Sequence, residues 1–553
     1  MNYHVIYDNP DEDLLTRLFK VRGIDNSVES FLYPKLNDYR LDPFLLNDME
    51  KAVERIMRAI KNKEKIMIFG DYDVDGVTSS YILYEFITKF INYKKISIQY
   101  PDRIKEGYGM KKIHINEMKK KGVDLIITVD NGIASLQEAI YAQEQGIDLI
   151  ITDHHQDLAA IPKAIAVVNP QISPKYPFKG LAGVGVAFKL ICALLTKCNF
   201  EKKEQNYIFN YFLPIVTIGT VADVVPLLDE NRVIVKKGLK LLNTRKHLPA
   251  SLKGFLEFLN IKGPIETYHI GFIIGPRINA GGRIKSPYDS LYALLYSGEK
   301  QLGYLDNLEL INTERRKIQE RMFKEAESMV NLSKKLLVAF HEDFHEGIVG
   351  IVSGRLTEKY HKPSMIMKID QIKQVAIASL RGPAYFSVID MLKNNENLLE
   401  RFGGHKGAGG LTVKLENLDM LIENFSNYCE ENIANDHLIK SVKVDTKIYE
   451  NEWEESILAD IEKLAPFGEG NKEPVFLLEN ISIHKIEKVG TRGKCHLKIH
   501  GKFGNKKIVS MFRGKGDEVE AFITRHEAPV SLIGKVRKDT FNGGFYLEGA
   551  DIE

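Results

Sequence analysis

Two stretches of this chain nearly repeat each other: GVDLIITVDNG at residues 122–132 and GIDLIITDHH at 146–155. Each has a glycine, an Asp-Leu-Ile-Ile-Thr run and an aspartate just beyond it. The segment between them, IASLQEAIYAQEQ, has the spacing and length of a helix. Strand, helix and strand at this separation make a parallel βαβ unit, whose crossover is right-handed. Further strands are expected before it, at KIMIF (65–69), and after it, at AIAVVNP (164–170). The expected class is therefore α/β, built on an open parallel sheet. In such sheets ligands bind beyond the carboxyl ends of the strands. Asp71, Asp73, Asp75, Asp130, Asp153, His154 and His155 all fall there.

Asp71, Asp73 and Asp75 alternate within DYDVDG, directly after a buried-looking strand. Carboxylates this close raise one another's pKa unless a cation sits among them. An acidic turn that caps a strand and opens a helix would look the same locally. Three separate strands delivering carboxylates or imidazoles to one sheet edge favour a metal centre. FLPIVTIGTVADVVPLLDEN adds Asp223, as a further ligand or as a simple helix cap. Oxygen-rich ligation with imidazole and no nearby thiolate suits Mn²⁺ or Mg²⁺ better than structural zinc. Two ions about 3.5–4 Å apart, sharing a carboxylate, would activate water and stabilise the leaving oxygen of a phosphoester. Metal-assisted phosphate ester hydrolysis is the expected chemistry.

Composition narrows the partners. The 553 residues carry 76 basic and 74 acidic side chains, so no global field marks a nucleic-acid or membrane partner, and local patches must do so. Four cysteines, Cys192, Cys198, Cys429 and Cys495, form no CxxC pair, which fits a reducing cytoplasm better than a disulfide framework. The first residues show no basic region followed by an apolar core, so no signal peptide is expected. Gln205–Ala222, the longest uncharged run, reads as a buried helix and strand boundary, with no membrane span expected.

Residues 1–45 read as short helical pieces capping the domain after them, 46–300 as the catalytic α/β domain, 301–334 as a charged connector helix, and 335–440 as a second α/β segment. Residues 441–553 lose helical periodicity and alternate, as a small β barrel does. Five further features suggest phosphate or strand binding. RFGGHKGAGG packs glycines around Gly404, His405 and Lys406, as an anion-binding nest or a plain hairpin. GPRINAGGRIKSP reads as a tight loop with Arg277, Asn279 and Arg283. PDRIKEGYG offers Arg103 and Tyr108, and SLRGP offers Ser379 and Arg381; in each, surface ion pairing would explain the arginines equally well. Residues 485–515 hold ten Lys or Arg, including Arg492, Lys494, Lys498 and Lys502, against the single acid Glu487. Phe503 and Phe512 interleave with them, as in a groove with stacking platforms, although a lysine-rich edge can also protect strands from aggregation.

In order along the chain, DYDVDG, VDNG, DHH, VADVVPL, GPRINAGGR, LINTERRKIQE, HEGIVGIVSGRL, RFGGHKGAGG and LAPFGEGN resemble the RecJ family of single-strand-specific exonucleases, within the DHH phosphoesterase superfamily. That resemblance implies a DHH core, a DHH-associated domain holding the glycine loop, and a C-terminal OB-fold barrel. It implies 5′-to-3′ digestion of single-stranded DNA in repair and recombination, with a helicase or single-strand-binding protein as possible company. On matching positions, Asp73 and Asp130 would hold one ion and Asp75, Asp130, His154 and Asp223 the second. Asp71 would ligate or orient. His155, with Asp153 of the DHH triad, would serve the scissile phosphate, and Arg277 and Arg381 would grip phosphates with Ser379 nearby. Two departures stand out. Gly281 replaces a commoner alanine, and SLRGPAYFSVID lacks the family's usual polar continuation after the arginine. A relative acting on short oligonucleotides or cyclic dinucleotides, and a non-catalytic replication scaffold, are the rival readings.

Overall fold

The computed structural model describes residues 2–24, 28–34, 41–102, 106–107, 109–156, 160–490, 495–525, 529–539 and 543–553. Arg103, Tyr108, Arg492 and Lys494 lie outside them. Two compact units are present. One comprises Arg40–Val225 and Glu230–Leu438, the other Met1–Tyr39, Pro226–Asp229 and Ile439–Glu553.

The larger unit is built on the expected parallel sheet. Its strands are β1 (Ile66–Gly70), β2 (Ile96–Gln99), β3 (Leu125–Val129), β4 (Asp148–Thr152) and β5 (Ala166–Val168), in the order β2-β1-β3-β4-β5. Every pairing is parallel. β1 and β3 are buried along their whole length, as strands covered on both faces must be. On one face Met67, Phe69, Ile126 and Ile151 pack with Ile115, Met118, Ala139 and Ala142. The other face carries α1 (Val74–Glu85), which packs on α3 (Gly183–Lys197) and α4 (Lys202–Ala222), while α2 (Leu136–Glu144) links β3 to β4.

Two local expectations need correction. Residues 205–222 contain no strand boundary: α4 runs unbroken through Pro214. Proline forfeits one backbone bond inside a helix, and here burial from Ile208 to Thr220 holds the helix together. The GPRINAGGR motif is not a loop but a helix, α5 (Gly275–Ile284), with Pro276 in its first turn. Its glycines serve close packing. A Cβ on Gly282 would lie 2.2 Å from the Tyr72 carbonyl oxygen, and one on Gly281 2.7 Å from that of Ser286.

The connector is a single helix, α6 (Glu299–Met329), whose Met322, Phe323 and Ala326 enter the core of the next segment. That segment holds β6 (Leu337–His341), β7 (Ser364–Asp370), β8 (Val375–Arg381), β9 (Leu399–His405) and β10 (Ala408–Lys414), ordered β9-β10-β8-β7-β6. Only β6 and β7 run parallel. RFGGHKGAGG thus forms the β9–β10 hairpin. Gly403 faces Gly410 and Gly404 faces Gly409 in an antiparallel ladder.

The smaller unit contains the expected barrel. Strands Phe476–Val489, His496–Phe503, Lys506–Phe512, Phe545–Ile552 and Val530–Lys538 pair in that order, and the last closes on the first. The segment is not free of helices, since Ser456–Leu464 and Gly516–Arg525 are helical. The N-terminal residues divide between the units: Pro43–Leu45 packs on α3 of the larger one, and Lys189 of that helix donates to the Leu41 carbonyl. Strand Asn2–Val5 pairs in parallel with Ser441–Val444, and Leu14, Leu18 and Phe19 join the barrel-side core with Ile448 and Trp453. Arg17, fully buried, fixes the docking by donating from Nε to Thr446 Oγ1 at 3.0 Å and from Nη2 to Glu452 Oε2 at 2.7 Å. No helix among the described residues is long and apolar enough to cross a membrane.

Candidate metal centre

At the carboxyl end of β1 the chain turns through Asp71 and Asp73 into α1. Asp73 is the N-cap of that helix, and its Oδ1 accepts from Gly76 N–H at 3.0 Å. Asp75 lies in the first turn, where a carboxylate is favoured by the helix dipole. Both its oxygens accept from the start of α3, from Gly183 N–H at 2.6 Å and Val184 N–H at 2.8 Å. Asp130 follows β3 with a left-handed backbone, φ 61°. Aspartate tolerates that region better than most residues, and such conformations cluster at functional sites. The buried carboxylate lies against Gly183, where an added Cβ would stand 2.6 Å from Asp130 Cβ and 2.7 Å from its Oδ1. At the end of α4, Asp223 is followed by Val224, also left-handed at φ 61°, an outlier for a β-branched residue.

These side chains converge in three overlapping groups. Asp71, Asp73 and Asp130 offer ligand atoms within 4.8 Å of one another, as do Asp75, His154 and Asp223, and Asp130, His154 and His155. His154 Nε2 joins the groups, lying 3.2 Å from Asp130 Oδ1, 3.6 Å from Asp223 Oδ2 and 3.8 Å from Asp75 Oδ2. Among the described residues neither His154 Nε2 nor Asp223 Oδ2 has a hydrogen-bond partner. Buried acceptor atoms crowded together in this way need shared protons or a cation, and a divalent cation satisfies all of them at once. The donor set is five carboxylates and one imidazole, which fits hard divalent ions.

The electrostatics agree. Burial, reinforced by Asp73, pushes Asp75 up to about 7. Burial and the neighbouring aspartates hold Asp130 and Asp223 well above the usual carboxylate range. Burial and the charge of His155 bring His154 down to about 4, leaving a neutral imidazole ready to ligate. His155 behaves oppositely. Burial opposes its charge, but the Asp153 hydrogen bond and field, with Asp71 and Asp75, raise it to about 9.

Asp153 belongs to none of the three groups of ligand atoms. Its Oδ1 accepts from His155 Nδ1 at 2.8 Å and His154 N–H at 2.7 Å, and its Oδ2 from Ile133 N–H at 2.8 Å. It therefore orients His155 and ties the β3 loop to the DHH turn. His155 looks into a cleft of about 750 Å³, whose lining includes Met110, Lys111, Ser135, Glu138, Gly404 and His405. Gly404 adopts φ 151°, and a Cβ there would meet the Ala408 carbonyl oxygen at 2.3 Å. Burial and the nearby charges of Arg381 and His155 hold the His405 pKa down. The hairpin thus shares the cleft with the DHH turn.

The remaining expected residues divide. Arg381 donates from Nη1 to Ser379 Oγ at 3.1 Å and the Leu380 carbonyl at 2.8 Å. Gly350 makes room for both side chains, since a Cβ there would stand 3.0 Å from Ser379 Oγ and 3.1 Å from Arg381 Nη2. Lys406 is exposed at the hairpin turn. Asn279, expected on substrate, accepts from Val74 N–H at 3.0 Å and so braces the start of α1. Arg283 donates to the Gly347 carbonyl at 3.3 Å. Arg277 pairs with Glu309 at 2.5 Å. On the barrel, Phe503 and Phe512 are not platforms. The strand alternation that turns Lys498 and Lys502 outward sends Phe503 inward with Leu497 and Ile499, and Phe512 is also buried. Acids from outside the basic stretch neutralise part of it: Lys506 pairs with Glu454, Lys488 with Glu520 and Arg513 with Glu548. Lys498 and Lys502 have no acidic partner within 4 Å among the described residues.

Sequence reasoning missed Gly183, the bond from Asp75 to the α3 terminus, and the cleft residues Ser135 and Glu138. The glycines of LAGVGVAFK were a visible signal for the first, as a helix start able to approach a carboxylate.

Comparison with known proteins places these features. Residues 65–220 match the DHH family, N-terminal domain, residues 333–431 the DHHA1 domain and residues 444–548 the RecJ OB domain. The single-stranded-DNA-specific exonuclease RecJ of Haemophilus influenzae is 32% identical over 482 residues, covering 84% of this chain and 82% of its own length. The Bacillus subtilis protein of the same name is 34% identical over 96% of this chain, which spans 66% of that longer relative. A crystal structure of RecJ from Thermus thermophilus in complex with Mn²⁺ shares the fold, with a TM-score of 0.82 at 24% identity over 98% of this chain and 75% of that one.

Proposed function

The chain belongs to the RecJ family, and from that premise we propose that it degrades single-stranded DNA from the 5′ end by hydrolysing phosphodiester bonds at a pair of divalent ions. The observation that carries this reading is the two carboxylate groups meeting at Asp130 and His154. Asp71, Asp73 and Asp130 would hold one Mn²⁺ or Mg²⁺, and Asp75, His154 and Asp223, with Asp130 shared, the other. Such ions supply an activated water and charge on the leaving oxygen.

The chain's own groups do the rest. Asp153 accepts the Nδ1–H of His155, so Nε2–H of the imidazolium is left to face the cleft and donate to a phosphate oxygen. His405 would supply a donor from the hairpin side of the cleft, with Arg381 close enough for its charge to act on His405. The backbone bonds from Gly183 and Val184 favour the charged form of Asp75 and hold it in place. Lys502, exposed, and Lys498, half-buried, give the barrel charge for a strand's phosphates, which favours long strands over a cyclic dinucleotide as substrate. Retention of every expected ligand favours an enzyme over a scaffold. A role in DNA repair and recombination, beside a helicase or single-strand-binding protein, belongs to the same proposal.

End-labelled single strands, blocked at the 5′ or the 3′ terminus in turn and incubated with Mn²⁺ or Mg²⁺, test it. A 5′ block should stop digestion and a 3′ block should not. Digestion that ignores the 5′ block, or that persists in chelator, would refute the proposal.

A further inference from the structure

Residues 267–274 carry a surface feature that the metal centre leaves unused. The chain makes one helical turn, Thr267–His269, then a π-turn, Ile270–Ile274, that leads directly into α5. Ile270 and Ile274 are fully buried and anchor one side of this turn. Tyr268 and Phe272, four residues apart, share another side. Their rings stack with centroids 4.9 Å apart and planes at 28°, yet they are 59% and 70% exposed. Large aromatic rings ordinarily contribute by leaving water. A stacked pair kept in water is suited to a flat partner, and π-turns often mark functional positions.

The charge nearby identifies the partner. Arg277 Nη1 donates to the Ile273 carbonyl at 2.8 Å, one residue from Phe272. On α6, Arg315 lies close enough to Arg277 and Arg316 that both oppose its charge, after burial. Glu309 pairs with Arg277 at 2.5 Å and with Arg316 at 3.6 Å. Arg315 is braced on its own helix, donating from Nη1 to Gln319 Oε1 at 3.1 Å and from Nη2 to Asn312 Oδ1 at 3.0 Å, while its buried Nε has no hydrogen-bond partner among the described residues. Three guanidiniums against that one carboxylate leave an excess of positive charge, and planar forks of this kind match phosphate. Further along α5, Asn279 and Gly282 pack on Val74 and Tyr72, in the loop that carries the metal-binding aspartates. One rigid helix therefore connects the exposed rings to the reacting centre.

We propose that Tyr268 and Phe272 form a base-stacking platform for an unpaired nucleotide of the substrate strand outside the cleavage site, with Arg315 and Arg316 meeting its phosphates. This rests on the single-strand nuclease reading above.

The test uses the full chain in chelator, so that bound strands stay intact, and follows fluorescence anisotropy of 3′-labelled oligothymidine of about 20 nucleotides. A strand of equal length built from abasic residues is the second probe. The parent should prefer oligothymidine about tenfold or more. Tyr268→Ala with Phe272→Ala should bind both probes alike, at the parent's abasic level. Arg315→Ala with Arg316→Ala should keep the base preference while the slope of log affinity against log salt falls by roughly 0.7 for each phosphate no longer neutralised. A double aromatic variant that retains the parent's preference for bases overturns the proposal, as does an arginine variant with the parent's salt slope. A parent that neither binds nor digests single strands would instead overturn the nuclease reading, a distinguishable result.

Discussion

Gly183→Ala is the most incisive perturbation of the metal centre, because it changes no ligand. An added Cβ would stand 2.6 Å from Asp130 Cβ, 2.7 Å from its Oδ1 and 2.8 Å from its Cγ, whereas ordinary contact begins at 3.4 Å. Asp130 must therefore retreat by about 0.8 Å, against a tolerance of about 0.2 Å in metal–ligand distances. Its left-handed backbone and burial leave no easy route for that retreat. Folding should change little. Alanine in place of glycine near a helix start gains up to about 1 kcal/mol, and overpacking costs about 1–3 kcal/mol. Since Asp130 belongs to the Asp71–Asp73 group and its Oδ1 lies 3.2 Å from His154 of the Asp75–Asp223 group, Mn²⁺ affinity should fall by at least the roughly 10–100-fold seen when groups supporting a metal ligand are changed. Isothermal titration with Mn²⁺ reads this directly, with circular dichroism as the check on folding. Gly185→Ala is the control, because its Cβ would meet only the Leu181 side chain, at 3.2 Å. If Gly183→Ala binds Mn²⁺ within twofold of the parent and digests single strands at the parent rate, Asp130 is not the shared ligand and the inference fails.

Other tests reach the remaining parts. His154→Ala and Asp130→Asn should each abolish hydrolysis, while the far-ultraviolet circular dichroism and the ordered fold persist. Metal-free protein should lose stability as pH rises from about 4 through 7. Asp75, Asp130 and Asp223 have folded pKa values above their unfolded ones, so the folded state binds the extra protons and deprotonation strains it. The gain in Tm on adding Mn²⁺ should accordingly be larger at pH 8 than at pH 5, and an equal gain at both would contradict the assignment. Asp153→Asn removes the partner that holds His155 near 9. Relative to the parent, its hydrolysis should fall further at pH 8 than at pH 6. Replacing Lys498 and Lys502 with Gln should flatten the salt dependence of strand binding by about 0.7 for each phosphate released; an unchanged slope reduces these lysines to solubilising residues.

The sheet and the proposed ligands that follow its strands were legible because both depend on short-range pattern, whereas Asp223, at the end of a helix, could be read locally as a simple cap. Alternating or continuous apolar runs fix strands, and a polar residue immediately after a strand can point only to the sheet's edge. Features that depend on distant partners were not legible. GPRINAGGR carries two adjacent glycines, which read as a turn from sequence, but the backbones of Tyr72 and Ser286 demand them within a helix. Pro214 sits in a helix because the surrounding core outweighs one lost bond. Phe503 and Phe512 looked like platforms among lysines, yet the strand alternation places them in the barrel core. The basic stretch near 500 was overcounted, since Glu454, Glu520 and Glu548 reach it from other elements.

The pairing of Asn2–Val5 with Ser441–Val444 joins residues more than four hundred positions apart. Asn2–Val5 must wait for residues 441–444 before finding its neighbour, the kind of distant closure that slows folding. Chains interrupted anywhere before residue 441 would expose an unpaired edge and the orphaned Arg17 guanidinium, a recognisable mark for proteolytic clearance of incomplete products.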